Sequence, residues 1–350
     1  MFRFLFFPIS AIYGVCVFIR RRFFYGFGIM KRTSFDIPVI CVGNLVMGGT
    51  GKTPHTEYLV RWLKQDYRVA TRSRGYKRKT TGFLSAKDQH SVSDIGDEPM
   101  QYFREFGNEV AIAVDENRVH GVKQLLNDSP DLQVIVLDDA FQHLPIKAGF
   151  NIVLTDYFTP YFKDFLVPMG SLREHRSAAK YADMIIVTKC PSVLSPITRN
   201  YFLSKIKPLP HQKVLFSYFT YGDFVPVTAM AEHKKQTDFS QILLLTGIVN
   251  PYPLKEYLMK RFVEIHSFAF PDHHAFSLKD VAKIKNEFDE IITSKKAIIT
   301  TQKDAMRLLD SQIKSLVDDL PIYYVPLTVK FHLPYDEVFA KEINAFIKRF

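Results

Sequence analysis

Residues 40–53 read ICVGNLVMGGTGKT, and this stretch decides the fold. An apolar run leads into a glycine-rich segment, and a Gly-Lys-Thr triplet opens a stretch with helical spacing. Glycines permit a tight loop whose backbone N–H groups point at phosphate oxygens, and the N-terminus of the following helix adds positive potential. The stretch therefore predicts a strand, a phosphate-binding loop and a helix in succession.

The loop predicts contacts to a nucleoside triphosphate. Lys52 would reach the β- and γ-phosphates, and the Thr53 hydroxyl would bind Mg²⁺. Val46 stands where the usual GxxxxGK[ST] pattern has glycine. The alternative is a glycine-rich turn without chemical meaning, which the Gly-Lys-Thr triplet after a strand disfavours. The predicted nucleotide-binding positions are Val46, Met47, Gly48, Gly49, Thr50, Gly51, Lys52 and Thr53.

A second apolar run, residues 134–137, ends in Asp138 and Asp139. A buried strand that ends in aspartate is typical of the Mg²⁺ side of a nucleotide site. We therefore predict both aspartates, together with Thr53, as metal ligands. Because side chains alternate along a strand, the two need not do the same job. The alternative is a solvated strand end.

Short apolar runs alternate with helical stretches through the first half of the chain. This alternation predicts an α/β fold with a P-loop-type, doubly wound, mostly parallel sheet. Further runs near the C-terminus predict a second, smaller α/β domain. The predicted strands are residues 37–42, 69–72, 110–114, 134–137, 152–155 and 184–188, then 242–246, 297–301 and 322–326.

Residues 214–220 and 224–228 flank Gly222 and predict a β-hairpin that links the two domains. A closing helix is expected at residues 336–349. The predicted division is a membrane-associating segment at 1–34, a nucleotide-binding domain at 35–212, the hairpin linker at 213–237 and the smaller domain at 238–350.

Composition bounds the function. The 350 residues are 47% hydrophobic and 23% charged, which excludes a disordered chain. Three widely spaced cysteines argue against a disulfide framework or a zinc knuckle. The net charge is +10, and residues 1–34 carry six basic and no acidic residues. A second basic stretch spans residues 68–79. Such patches favour an anionic partner.

The N-terminus begins with an apolar run. Residues 4–19 are uncharged, but these 16 residues are fewer than the roughly 20 that span a bilayer. Three arginines and then three aromatic residues follow. That order predicts an interfacial anchor on an anionic membrane surface. A buried core helix and a membrane-spanning helix are the alternatives.

Taken together, these runs resemble the tetraacyldisaccharide 4'-kinases, or lipid A 4'-kinases, of bacteria. The order of the runs makes the resemblance specific. Two positions depart from the family pattern: Ala140 stands where the family has glycine, and Gln302 where it has glutamate. The matching runs are residues 42–44, 48–54, 73–76, 96–99, 138–143, 171–174, 270–274 and 301–304.

The resemblance implies transfer of the γ-phosphoryl of ATP, with Mg²⁺, to the 4'-hydroxyl of a tetraacyldisaccharide 1-phosphate. It implies that Asp97 is the base for the sugar hydroxyl and that His273, from the second domain, orients it. It also implies that Lys52 and Arg173 contact the transferring phosphate. Without the resemblance, Asp97 would be interpreted as part of a capped helix start.

The expected partners are the glycolipid substrate and an anionic membrane surface, at the cytoplasmic face of the bacterial inner membrane. Neither nucleic acid nor an obligate protein partner is expected. We predict that the basic stretch holds the 1-phosphate or lipid headgroups. Its alternative is a solvated loop. The predicted substrate-binding residues are Asn44, Arg72, Arg74, Gln142 and His143.

Two other classes remain open at this stage. A nucleotide switch of the partition or metallochaperone type also carries GGTGKT-like loops, but it leaves the apolar start and Asp97 unexplained. A nucleic-acid-binding ATPase fits the basic charge, but the sequence has no helix-turn-helix, zinc module or aromatic RNA motif.

Overall fold

The apolar runs form the centre of a large sheet. The computed structural model describes residues 5–25, 30–233, 239–310 and 313–350. The strands are β1 (Val39–Asn44), β2 (Val69–Ser73), β3 (Leu84–Ser85), β4 (Ala111–Val114), β5 (Val134–Asp138), β6 (Phe150–Asp156), β7 (Met184–Thr188), β8 (Lys213–Tyr221), β9 (Val225–Pro226), β10 (Gln241–Thr246), β11 (Glu264–Ala269), β12 (Lys296–Thr301), β13 (Ile322–Val325) and β14 (Leu327–Phe331).

Helices cover both faces of this sheet and alternate with its strands. The helices are α1 (Phe7–Tyr25), α2 (Lys52–Leu63), α3 (Val92–Ile95), α4 (Asp97–Phe106), α5 (Arg118–Asp128), α6 (Pro196–Ile206), α7 (Ala229–His233), α8 (Tyr252–Met259), α9 (Leu278–Asp289), α10 (Gln302–Leu308), α11 (Lys314–Val317) and α12 (Tyr335–Ile347).

Within the described ranges, nine strands form the large sheet in the order β14-β8-β7-β6-β1-β5-β2-β4-β3. Its inner strands run parallel, and only the edge pairs β3–β4 and β8–β14 are antiparallel. All residues of β1 and β5 are buried, which explains their uninterrupted apolar runs. The predicted doubly wound parallel sheet is confirmed.

A second sheet has the order β11-β10-β12-β13-β9, with β9 antiparallel to β13. It has its own apolar cores on its two faces. The predicted second, smaller α/β unit is therefore confirmed.

The predicted linker hairpin is wrong in its pairing. β8 pairs with β7 and β14 in the large sheet, whereas β9 pairs with β13 in the small one. The chain therefore crosses between the sheets twice, once after β8 and once before β14. The last residues of the predicted linker, 234–237, lie outside the described residues.

The C-terminal segment also differs from the predicted division. β14 belongs to the large sheet, and α12 packs on the core of that sheet through Phe339 and Phe346. The Phe346 ring lies 5.5 Å from that of Phe150 on β6. The closing helix is confirmed, but it returns to the first unit. The predicted boundaries of 1–34, 35–212 and 238 remain predictions.

Helix α1 docks by one narrow face and leaves its apolar side exposed. Ser10, Val17 and Arg21 are buried, while Ile12 is 66% exposed and Phe18 62% exposed. The Ser10 hydroxyl donates to the Leu166 carbonyl at 3.0 Å. The alternative of a buried core helix is therefore wrong. Among the helices of the described ranges, none is long and apolar enough to cross a membrane.

Candidate active site

The phosphate loop lies at the carboxyl edge of the large sheet, between β1 and α2. Gly51 has φ +80°, a left-handed conformation that favours glycine, and α2 begins at Lys52 directly after it. The Thr50 carbonyl accepts a hydrogen bond from the Thr188 hydroxyl at 2.9 Å. The strand, loop and helix expected from the sequence are confirmed.

Val46 has a structural role that explains its departure from glycine. It is 7% exposed and forms an isolated antiparallel bridge with Leu172. Beside it, the Arg173 amide donates to the Leu45 carbonyl at 2.8 Å. The start of the loop therefore pairs with the segment that carries Arg173, and this pairing brings Arg173 to the site.

Asp139 is the centre of a cluster of charged groups. Its carboxylate lies 3.7 Å from Lys52 Nζ, and Arg173 binds it with two nitrogens, at 2.5 and 3.1 Å. Arg173 also donates to Asn44 Oδ1 at 2.5 Å. Burial alone would raise the pKa of Asp139, but Lys52 and Arg173 lower it below its ordinary value. Asp139 is therefore ionised and faces the loop.

Asp138 occupies a different environment from its neighbour. It is 5% exposed, its Oδ2 accepts from the Tyr102 hydroxyl at 2.9 Å, and its Oδ1 lies 3.5 Å from the Thr56 hydroxyl. Burial, followed by the charge of Asp139, raises the pKa of Asp138 to about 6. The two adjacent aspartates thus have different surroundings, because Asp138 is the last residue of β5 whereas Asp139 follows the strand with a left-handed φ of +47°.

In the turn that follows β5, the residue with positive φ is Asp139 and not Ala140. Asp139 has φ +47°, and its amide donates to the Val42 carbonyl at 2.9 Å. Aspartate is among the residues that tolerate this region best. Ala140 is buried outside it, so the alanine is accommodated.

Asp97 and His273 meet between the two sheets. Asp97 is the first residue of α4, and its Oδ2 lies 2.9 Å from His273 Nδ1. Arg307 of α10 donates to the same oxygen, through Nη2 at 2.5 Å and Nε at 3.2 Å. Burial alone would raise the pKa of Asp97, but the hydrogen bonds from His273 and Arg307 lower it below its ordinary value.

Arg307 is itself held by a buried aspartate. Its Nη1 donates to Asp304 Oδ1 at 2.8 Å and to the Gly247 carbonyl at 3.1 Å. The other oxygen of Asp304 accepts from the Gly247 amide and the Thr301 hydroxyl. A second ion pair crosses between the sheets nearby, from Lys303 Nζ to Glu98 Oε1 at 3.0 Å.

The charges of several arginines act on His143. Burial, followed by the charges of Arg118, Arg72 and Arg74, lowers the pKa of His143 to about 4. Arg118 and Arg72 are buried, whereas Arg74 is exposed. Gln142 is adjacent to His143 in the chain and donates to the Asn44 carbonyl at 2.6 Å. Four of the predicted substrate residues therefore belong to one basic cluster with Arg118, namely Arg72, Arg74, Gln142 and His143.

Sequence reasoning missed three residues of the site. Arg307 follows the 301–304 run that carries the family resemblance, so its position was a usable signal. Tyr102 lies four residues after Glu98 on α4, a helical spacing that gives no hint of a partner on β5. Arg118 donates to the Asp139 carbonyl, a backbone contact that no sequence pattern reports.

Helix α1 contacts Arg173 and Glu174, which directly follow Leu172, the residue that pairs with the phosphate loop. Arg20 and Arg21 bind opposite oxygens of Glu174, at 2.8 and 3.0 Å, and Glu174 is fully buried. The Tyr13 hydroxyl donates to the Arg173 carbonyl at 2.9 Å. The apolar helix is thus attached next to the charged cluster of Asp139.

The donor set near the loop has the chemistry that Mg²⁺ prefers. Thr53 offers a hydroxyl oxygen, and Asp138 and Asp139 offer carboxylates at the end of β5. In the described part of the chain, no cluster of three or more His, Cys, Asp or Glu side chains could hold a metal ion by itself. Mg²⁺ at nucleotide sites takes few protein ligands and completes its shell with phosphates and water.

Comparisons with known proteins identify the family of this chain. The model of the Tetraacyldisaccharide-1-P 4'-kinase family matches residues 2–348. The Tetraacyldisaccharide 4'-kinase of Flavobacterium johnsoniae is 43% identical over 98% of this chain and 96% of its own length. That of Bacteroides thetaiotaomicron is 40% identical over 98% and 92%.

A solved structure of the same fold is LpxK from Aquifex aeolicus in complex with ATP. Its TM-score is 0.73 over 99% of both chains, and its identity is 23%, so it supports the fold. The curated relatives decide between the kinase and the nucleotide switch. The chain belongs to the tetraacyldisaccharide-1-phosphate 4'-kinase family, and it is an ATP-dependent kinase of lipid A biosynthesis.

Proposed function

We propose that the described residues carry out this phosphoryl transfer in three groups: a triphosphate site at the loop, an acceptor site at Asp97 and a basic cluster for the lipid. The contact between Asp97 and His273 carries the proposal. It joins the carboxylate of Asp97, from the unit of the large sheet, to the imidazole of His273, from the unit of the small sheet. A site that assembles between the two units requires such a contact.

The backbone N–H groups of residues 46–53 would bind the triphosphate. The side chains of Lys52 and Arg173 would contact the phosphate that is transferred. In the present structure both cations lie on Asp139. A bound triphosphate would offer them a stronger anionic partner. Thr53, Asp138 and Asp139 would hold Mg²⁺, and Mg²⁺ neutralises charge on the β- and γ-phosphates.

Asp97 would accept the hydrogen bond of the 4'-hydroxyl. In the described part of the chain, the hydrogen bonds found to this carboxylate all go to Oδ2, which leaves Oδ1 for the substrate. The low pKa makes Asp97 a weak base. A weak base is sufficient for a loose transition state, because the hydroxyl proton is then transferred late in the reaction. The hydroxyl oxygen attacks phosphorus, ADP departs, and the proton passes to Asp97.

The basic cluster would bind the 1-phosphate of the disaccharide. Arg74 is exposed there, and Arg72 and Arg118 lie behind it. Buried Arg72 would act by its charge and by holding the loop, since it donates to the Asp115 carbonyl. Gln142 and His143 would complete the substrate contacts. Asn44, predicted as a substrate residue, is fully buried and would act indirectly, through its hydrogen bonds to Thr50 and Arg173.

The exposed apolar side of α1 would bind the cytoplasmic face of the inner membrane. Ile9, Ile12, Val15 and Ile19 are each more than two-fifths exposed and recur at helical spacing. Arg22 is exposed at the end of the helix, where an anionic headgroup would lie. An acylated substrate would reach the site from the same surface.

The residue roles are tested by transfer of labelled γ-phosphate from Mg-ATP to tetraacyldisaccharide 1-phosphate in detergent micelles. Asp97→Asn should lower kcat by about 10²–10⁴-fold with little change in the KM for ATP. Lys52→Ala should impair ATP use itself. A defect of Asp97→Asn confined to the KM for ATP would contradict its assignment as the acceptor-site base.

A further inference from the structure

The buried imidazole of His55 connects the phosphate loop to the strand that leads out of the large sheet. His55 lies in the first turn of α2 and is 4% exposed. Its Nδ1 lies 2.8 Å from the Gly51 carbonyl oxygen, and its Nε2 lies 2.9 Å from the Ser217 hydroxyl on β8. Both ring nitrogens are therefore hydrogen-bonded.

The partners determine which nitrogen carries the proton. A carbonyl oxygen only accepts, so Nδ1 is the donor, and Nε2 then accepts from the Ser217 hydroxyl. Because both ring nitrogens are hydrogen-bonded, the imidazole holds one orientation.

The Gly51 carbonyl has to point away from the phosphates. A phosphate loop binds anions with its N–H groups, and a rotated peptide would present an oxygen instead. Glycine at φ +80° has the most rotational freedom of any residue. The Gly51 carbonyl accepts the His55 amide at 3.2 Å, and the hydrogen bond from the His55 imidazole at 2.8 Å limits that freedom further.

β8 contacts the loop at a second point. A Cβ atom on Gly51 would lie 2.6 Å from Phe219 Cζ, and the His55 ring lies 5.8 Å from the Phe219 ring. Ser217 pairs in register with Phe331 of β14. β8 and β14 are the strands next to the two crossings to the small sheet, so a displacement of the small sheet would act on them first.

We propose that His55 is a positioning residue for ATP, which fixes the Gly51 peptide against Ser217 and makes nucleotide affinity depend on the placement of β8. This inference rests on the proposed assignment of residues 46–53 as the triphosphate site. His55 itself touches no reacting atom in this scheme and acts through Gly51.

The test compares steady-state kinetics and melting temperatures of single and double variants of the full chain. His55→Leu should raise the KM for Mg-ATP about tenfold, or ~1.4 kcal/mol, with much smaller changes in kcat and in the KM for the lipid. His55→Asn, whose amide can replace Nδ1 as donor to Gly51, should recover most of the ATP affinity.

Ser217→Ala should raise the KM for ATP by a smaller factor in the same direction. Because the two residues act through one bridge, the double variant His55→Leu/Ser217→Ala should show little more than the effect of His55→Leu alone. Full additivity of the two effects would overturn the link to β8. Ser217→Ala removes only a hydroxyl, so it decides the matter if His55→Leu does not fold.

Thr228→Val is the matched control for a merely structural role. Thr228 is also buried, lies between β9 and α7 away from β8, and its hydroxyl donates to the Leu320 carbonyl at 2.5 Å. It should lower the melting temperature while the KM for ATP stays at the wild-type value. The same pattern in His55→Leu would overturn the proposal.

Lys52→Ala separates this failure from failure of the proposed site. If Lys52→Ala impairs ATP use and His55→Leu does not, the loop assignment stands and the positioning role is wrong. If neither variant affects ATP use, the loop assignment is wrong and the role of His55 falls with it.

Discussion

Asp97 receives two different donors on one oxygen, and each donor has a different consequence. His273 Nδ1 orients the carboxylate, while the guanidinium of Arg307 adds a full positive charge at 2.5 Å. Asp304 fixes Arg307 from behind, so this charge cannot swing away. The pKa of Asp97 is therefore lowered by two residues of the small sheet's unit, by the hydrogen bond from His273 and then by Arg307.

Replacing Arg307 should shift the pH dependence of the kinase. Arg307 lowers the pKa of Asp97, so Arg307→Met should raise it, and Asp97 should then be protonated at a higher pH. The acidic limb of kcat/KM should move to higher pH, and kcat at pH 7.5 should fall by about 10²-fold or more. Arg307→Lys keeps the positive charge, so its acidic limb should lie closer to that of the wild type than the limb of Arg307→Met does.

The check is a pH profile of kcat/KM for the lipid at saturating ATP, for both variants and the wild type. An acidic limb that stays in place in Arg307→Met would show that Arg307 only holds the two units together. Glu98→Gln is a suitable control, because it breaks the neighbouring ion pair with Lys303 at 3.0 Å and leaves in place the charge of Lys303, which also lowers the pKa of Asp97.

The residues of the site were predictable to different extents. Lys52, Thr53, Asp138 and Asp139 follow from the chemistry of a loop and a strand end. Asp97 came from the family resemblance, because its own sequence context also fits an ordinary helix start. Arg118 was not predicted, since its partner lies 21 residues away and no local pattern encodes such a contact. Arg307 lies just after the 301–304 run, but the sequence gives no hint of its partner 210 residues away.

At the scale of elements, α2 and α4 share a buried polar contact. Glu57 of α2 is 3% exposed, and its Oε1 accepts from Gln101 Nε2 of α4 at 2.8 Å. Burial raises the pKa of Glu57 from 4.5 to about 8, and the Gln101 hydrogen bond opposes this in part. Glu57 is therefore protonated in the folded protein at pH 7.

This contact should make stability depend on pH. Between about pH 4.5 and 8 the folded state binds the Glu57 proton and the unfolded state does not, so stability falls as pH rises through that window. Glu57→Gln keeps the acceptor and removes the titration. Its melting temperature should exceed that of the wild type by about 5 °C at pH 8, and less at pH 5.

Thermal melts at pH 5, 6, 7 and 8 measure this difference. Glu109→Gln is the control, since Glu109 is an exposed glutamate whose side chain is 69% accessible. A constant offset between Glu57→Gln and the wild type across the series would mean that Glu57 is ionised in the folded state.

The elements were predicted best where burial was complete. The inner strands of the large sheet are buried on both faces and gave continuous apolar runs. β11 was missed because most of its residues are exposed or half-buried, and its sequence EIHSFA has no such run. The linker hairpin was wrong because Gly222 gives a local turn signal, while β8 pairs with β7 and with β14, a strand more than 100 residues further along the chain.

At the scale of the whole molecule, α1 and the site lie side by side. Arg20 and Arg21 bind Glu174, which follows Arg173, and Arg173 binds Asp139. The exposed apolar side of α1 therefore has a fixed orientation relative to the phosphate loop. Two-thirds of the Ile12 residue surface is accessible on that side. A membrane bound there would lie next to the phosphate loop, where we propose that the triphosphate binds.

Ile12→Asp should weaken vesicle binding without unfolding the protein. The substitution removes an apolar side chain worth about 2 kcal/mol of burial and adds a charge repelled by anionic lipid, so partitioning should fall more than tenfold. The measurement is flotation with vesicles that contain anionic lipid. Ile292→Asp is the matched control, because Ile292 is fully exposed in the other unit and should float as the wild type does. Equal flotation of Ile12→Asp and the wild type would place the membrane-binding surface elsewhere on the molecule.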